Sequence, residues 1–202
     1  MISLKIDNSS RFSFFNLIPK VLAFLTDGFE TVEALAVIDI LRRANIGVDT
    51  VSITGNKSVK SAQNIIVEAD KLIEDINCND EDVCFLPGGP GHKTYYDCDK
   101  LIDMLKVHNE AGGRIAAICA APSVLGKLGF LKGKRATAFP GFEDMLEGAE
   151  VAPKTERVVT DGNITTSRGM GTSVDLGLEL VTLIKGKELA DELAVSTQYI
   201  ND

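Results

Sequence analysis

The chain has 202 residues, 45% hydrophobic and 25% charged, long enough to bury a sizeable core without disulfide staples. Its net charge of −8 repels phosphate backbones, which argues against nucleic acid or an anionic membrane as a partner. No apolar run approaches the roughly 18 residues that a bilayer-spanning helix needs.

Residues 1–19, MISLKIDNSSRFSFFNLIP, stand apart in composition, with Lys5, Arg11 and four serines against the single acid Asp7. They are faintly like an organelle transit peptide, but the plainer reading is an N-terminal extension to a domain at 20–202. They hold no apolar h-region, so a secretory signal is disfavoured and a reducing, cytoplasmic setting is expected. KVLAFLT (20–26) reads as a buried strand, and ETVEALAVIDILRRA (30–44) as a helix. VDTVSIT (48–54) is a strand, NIIVEAD (64–70) one arm of a hairpin, and DVCFLP (82–87) a strand closed by Pro87-Gly88-Gly89. DKLIDMLKVHNEAG (99–112) is an amphipathic helix ending on glycine. RIAAI (114–118) is a strand and 122–128 a helix. RATAF (135–139) and RVVTDGNITTS (157–167) supply further strands, the latter with an Asp161-Gly162 turn. TSVDLGLELVTLIKG (172–186) is the closing helix, with Thr172 and Asp175 spaced as a capping box.

Strands alternating with helices predict an α/β fold: a mostly parallel central sheet with helices on both faces. Ligands in such folds sit beyond the carboxyl ends of the strands, where Gly88, Gly89 and Cys119 all fall. Cys119 occupies a strand-to-helix join of the kind that carries serine in the G-x-S-x-G elbow. The helix N-terminus behind it is expected to favour thiolate and lower the pKa. A buried, inert cysteine is the alternative. Glu33 shares its helix face with Ala36, Val37, Ile40 and Leu41, whereas Asp39 groups with Arg42 and Arg43 on a polar face. A core-facing carboxyl needs a partner or a raised pKa. Its helix starts at the same sheet edge, so Glu33 and Cys119 are expected to meet as acid/base and nucleophile. A solvated first-turn acid is the alternative for Glu33.

Four stretches, DGFETVEALAVIDILRRA, FLPGGPG, AAICAAPSVL and TSRGMGTSVDLGLELV, together resemble the DJ-1/PfpI (ThiJ) superfamily, most closely its DJ-1-like branch. The resemblance covers about residues 20–200 and implies a flavodoxin-like α/β sandwich, usually homodimeric. It makes Cys119 the nucleophile, Glu33 the carboxyl beside it, and the Gly88-Gly89 turn with the Gly89 and Ala120 N–H groups an oxyanion pocket. It implies no metal or organic cofactor. Activities attributed to the family are glutathione-independent glyoxalase, deglycation, chaperone action, oxidative-stress sensing and, in the PfpI branch, proteolysis. An older attribution is thiazole monophosphate biosynthesis. Ala120 stands where the protease-like branch has histidine, which argues against a Cys-His peptidase. Phe139 stands where DJ-1-like glyoxalases often carry histidine, and Met170 replaces a common proline.

Among the remaining reactive residues, His92 reads as a solvated loop histidine or an accessory to Cys119, and His108 as surface. Cys84 reads as core, and Cys78 and Cys98 as exposed and incidental. Their spacing shows no zinc cluster. Two functions of different class follow. One is an enzyme acting on small α-oxoaldehydes; the other is a stress sensor or chaperone whose Cys119 is oxidised to sulfinate by an oxidant. An inert homologue with an ordinary thiol is a third.

Overall fold

The computed structural model describes residues 19–200, so the expected N-terminal extension lies outside it but for Pro19. The elements are β1 (Lys20–Leu25), α1 (Thr31–Arg43), β2 (Gly47–Ser52), β3 (Ser58–Lys60), β4 (Ile66–Glu68), β5 (Lys71–Leu72), β6 (Val83–Leu86), α2 (Asp99–Glu110), β7 (Arg114–Ile118), α3 (Pro122–Lys127), β8 (Arg135–Ala136), β9 (Glu150–Val151), β10 (Val158–Asp161), β11 (Ile164–Ser167), α4 (Ser173–Lys185) and α5 (Lys187–Ser196). Seven strands form one sheet in the order β10-β11-β7-β6-β1-β2-β5. Every pair is parallel except β10 with β11, which are joined at the Asp161-Gly162 turn. This is the mostly parallel α/β sheet that the alternation of strands and helices predicts, and the flavodoxin-like sandwich that the family resemblance implies.

The apolar runs of the central strands serve two cores at once. Side chains alternate across a strand, so Leu22 and Phe24 enter one layer while Val21 and Ala23 enter the other. The first layer is closed by Leu101 and Leu105 of α2 and by Val124 and Leu125 of α3. The second is closed by Val37 and Leu41 of α1 and by Leu176 and Leu180 of α4. Each fully buried aliphatic or phenyl group contributes roughly 1.5–3 kcal/mol of apolar transfer.

Three expectations are corrected. The helix expected at 172–186 forms as α4 but does not close the chain: Gly186, at φ 99°, ends it and opens a further helix, α5. The Thr172–Asp175 capping box is not formed. Thr172 instead hydrogen-bonds Ser167 and Gly169, and Asp175 pairs with Arg157 and Tyr199. The RATAF strand shrinks to Arg135–Ala136, since Thr137 gives its N–H to the Thr166 hydroxyl rather than to a ladder.

Candidate active site

The turn after β1 and the turn after β6 lock together through their backbones. Glu30 N–H donates to Gly88 O at 2.9 Å, and Gly91 N–H to Gly28 O at 2.9 Å. Gly89 sits between them at φ 96°, where a Cβ would lie 2.4 Å from Glu30 N. Only glycine fits such an approach and such a φ. The buried Tyr95 hydroxyl faces the carbonyls of Phe24 and Pro87 at 2.9 and 3.0 Å, fixing the ends of β1 and β6 relative to each other.

These turns set Glu33 beneath the sheet edge. Glu30 caps α1, accepting the Glu33 N–H at 2.7 Å. The Glu33 side chain, 1% exposed, accepts the Gly88 N–H at 3.0 Å and hydrogen-bonds the Cys119 thiol. Its carboxyl is pushed up to about 7, first by burial and then by the nearby Glu30 charge. The hydrogen bonds from Cys119, Gly88 and the Met170 backbone oppose that rise. Gly88 has no room for a side chain: a Cβ would stand 2.6 Å from Glu33 Oε2 and 2.7 Å from Cys119 Cβ.

Cys119 follows β7 in the left-handed region, at φ 65°. A non-glycine residue persists there only when its surroundings over-determine it. Its N–H donates to Ser167 O, and its carbonyl accepts the Phe139 N–H, both at 2.9 Å. The thiol is half-buried, and its pKa is pushed up to about 12 by burial, then by the Glu33 charge and hydrogen bond. The Gly89 and Ala120 N–H groups pull the other way. The expectation of a thiol pKa lowered by a helix N-terminus is therefore corrected. Helix α3 has only six residues, and the Ala121 and Ser123 N–H groups behind the sulfur are already taken by Ile118 O and Ala120 O. The partner that governs this thiol is Glu33. Protonating that carboxyl removes its charge and turns it from acceptor into donor, which favours a thiolate.

His92 is buried, not a solvated loop residue, with Nδ1 2.9 Å from Gly89 O. Its ring stands edge-on to Phe142. It braces the pocket turn from behind. Phe139, 46% exposed, flanks Gly169 at the mouth of the site and offers no ionisable group. Met170 was missed by sequence reasoning. The family resemblance puts a proline at this position, and a proline would have no N–H to give Glu33. That substitution was the signal for it.

A second group of reactive residues gathers at the opposite edge of the sheet. Cys78 Sγ lies 3.6 Å from Cys84 Sγ and 3.4 Å from His108 Nδ1. His108 is 3% exposed, so its assignment to the surface is corrected, as is the reading of Cys78 as exposed and incidental. The Cys78 thiol is drawn down to about 6, first by the hydrogen bond with Cys84 and then by the imidazole. The zinc-type clustering that the spacing did not show is thus created by the fold, which packs the end of α2 against the start of β6.

A family model of the DJ-1/PfpI family matches residues 19–183. Protein DJ-1 homolog A of Arabidopsis thaliana is 39% identical over 86% of this chain and 45% of its own length, so the chain spans less than half of that relative. The glutathione-independent glyoxalase DJR-1.2 of Caenorhabditis elegans is 28% identical over 81% of this chain and 87% of its own. The solved structure of oxidized Toxoplasma gondii DJ-1 is similar with a TM-score of 0.85 and 34% identity, covering 91% of this chain and all of that one. With the family model spanning most of the chain and one fold shared over its length, this protein belongs to the DJ-1/PfpI family.

Proposed function

We propose that the protein converts small α-oxoaldehydes to hydroxyacids through Cys119. The observation that carries this reading is a buried carboxyl, Glu33, titrating near neutrality against the sulfur, with the Gly89 and Ala120 N–H groups beside it. The thiol proton passes to Glu33 as sulfur attacks the aldehyde carbon. The two N–H groups stabilise the oxyanion of the resulting hemithioacetal. Glu33 returns the thiol proton to that oxyanion, and the freed carboxylate then moves the proton on the same carbon to the neighbouring one, giving a 2-hydroxyacyl thioester. Water cleaves the thioester and restores the thiol, so the net change is addition of one water. The same adduct chemistry extends to aldehydes already attached to protein amines, a deglycase-type reaction. The glyoxalase-named nematode relative supports the reading. Neither a metal nor an organic cofactor takes part.

Phe139 favours a second reading, because it leaves Glu33 as the one proton carrier beside Cys119 among the described residues. In it Cys119 takes two oxygen atoms from two peroxide equivalents, releasing two waters, and the sulfinate rests on the same N–H groups and a protonated Glu33. The protein is then a stress sensor or chaperone. In both readings it acts as a cytoplasmic homodimer.

Methylglyoxal consumption and lactate formation separate them. We expect many turnovers per Cys119, with at least about 100-fold loss in Cys119→Ser and in Glu33→Gln. Absence of turnover, with one Cys119 oxidised per chain by peroxide, retires the enzyme and leaves the sensor.

A further inference from the structure

We propose that Cys78, Cys84 and His108 form a binding site for a single thiophilic divalent metal ion such as Zn²⁺, at the sheet edge opposite Cys119. Their ligand atoms lie within 4.8 Å of one another. A tetrahedral ion with zinc bond lengths of about 2.3 Å to sulfur and about 2.0 Å to nitrogen sets its ligands about 3.8 Å (S to S) and about 3.5 Å (S to N) apart. The separations here are 3.6 and 3.4 Å. Two of the three donor separations thus match the edges of such a tetrahedron, and the third is no longer than 4.8 Å, so an ion enters by side-chain adjustment.

Three further features build the site. His108 Nε2 faces Arg114 O at 3.1 Å, which holds the ring proton on Nε2 and turns the Nδ1 lone pair toward Cys78. A backbone carbonyl on the far nitrogen is the usual support of a metal-bound imidazole. Gly113 leaves the space the ring fills, since a Cβ there would fall within 2.4 Å of three of its atoms. Cys78 and His108 line a cleft of about 380 Å³ with three acids, Glu74, Asp80 and Asp103, against one base, Lys100, a net-acidic approach for a cation. The Asp82 carboxylate is occupied by the Lys20 and Asn79 N–H groups, so the fourth position is left to water or to a donor entering from the cleft.

Both sulfurs bind as thiolates, any protons they still hold passing to solvent, so that two thiolate charges stand against the ion's two and the site is left neutral. The ion ties the segment before β6 to the end of α2 and the start of β7. This reading stands apart from the chemistry at Cys119.

The test is Co²⁺ titration of the reduced full-length protein, stripped of metal, followed by Zn²⁺ competition. We expect one equivalent of Co²⁺, with a thiolate charge-transfer band and the visible spectrum of a tetrahedral ion, displaced by Zn²⁺. Cys119→Ser should leave the band intact. Cys78→Ser, at a half-buried position the fold tolerates, should weaken binding at least about 100-fold, beyond what outer-sphere losses cost. His108→Gln should do the same with an unchanged circular dichroism spectrum. If His108→Gln does not fold, Cys78→Ser decides alone. Absence of a thiolate–cobalt band in the wild type, or a band that survives Cys78→Ser, overturns the proposal.

Discussion

Folding moves the Glu33 carboxyl from water to the underside of the Gly88 turn, and the chain meets a cost only where that carboxyl is charged. Its pKa rises from 4.5 to about 7. The folded state therefore holds a proton that the unfolded chain has lost between those values, and stability falls as pH rises through that window. Below 4.5 both states are protonated and the effect vanishes. Glu33→Gln keeps the acceptor for the Gly88 N–H and never ionises. Urea unfolding at pH 4.5 and pH 8 should show near-equal stabilities at the lower pH. At pH 8 the variant should be more stable by on the order of 3 kcal/mol at most, the equivalent of the shift. A constant difference across the range would mean that Glu33 is not held as described. The stabilised variant would lose activity, a trade common where a strained or buried charge does chemistry.

Helix α1 carries Glu33, and its position depends on how closely α4 approaches. Gly177 of α4 faces Ile40 of α1, where a Cβ would stand 2.9 Å from Ile40 Cβ. Gly177→Ala should cost about 1–3 kcal/mol by overpacking and displace α1. Thermal unfolding reads the first effect, and alkylation of Cys119 by iodoacetamide as a function of pH reads the second. The pair Glu33–Cys119 was legible in the sequence because a parallel sheet sends the end of β7 and the start of α1 to the same edge. The central strands β1, β6 and β7 were legible as well, since their apolar runs have no competing period, whereas the two- and three-residue strands β3, β5 and β9 have no such run. The break at Gly186 was not, because glycine after LVTLIK reads as an ordinary helix end and nothing local demands a second helix. The joining of Cys78 to His108 was hidden by their separation of 30 positions along the chain. The sign of the Cys119 shift was hidden too, since it depends on desolvation, which has no sequence pattern.

At the scale of the molecule, the polar face of α1 is already engaged within the chain. Arg43 pairs with Asp39 at 2.6 Å and Arg42 with Asp70 at 3.1 Å, both exposed, so each adds little to stability. Exposed apolar groups stand close to the site, with Val32 next to Glu33 on α1 and Met170 beside it. A second copy covering them would close the mouth of the site. Light scattering should therefore give a mass near twice 21.7 kDa, and Val32→Glu should shift it toward the single-chain mass. A wild-type monomer would remove the homodimer from the proposed function. No helix among the described residues is long and apolar enough to cross a membrane.

Strands β6 and β7 run between the two thiol clusters, with Cys84 and Arg114 near their starts and Gly88 and Cys119 just past their ends. At about 3.3 Å per residue, strands of four or five residues hold the clusters on the order of 15 Å apart, joined by packed apolar chain. Such a spacing separates the two edges as objects of selection. A lineage can gain, alter or discard cysteines at the amino edge while the elbow at the carboxyl edge keeps its shape, because the strand between them transmits position and little else. One scaffold can in this way hold the backbone of one pole fixed while side chains at the other change.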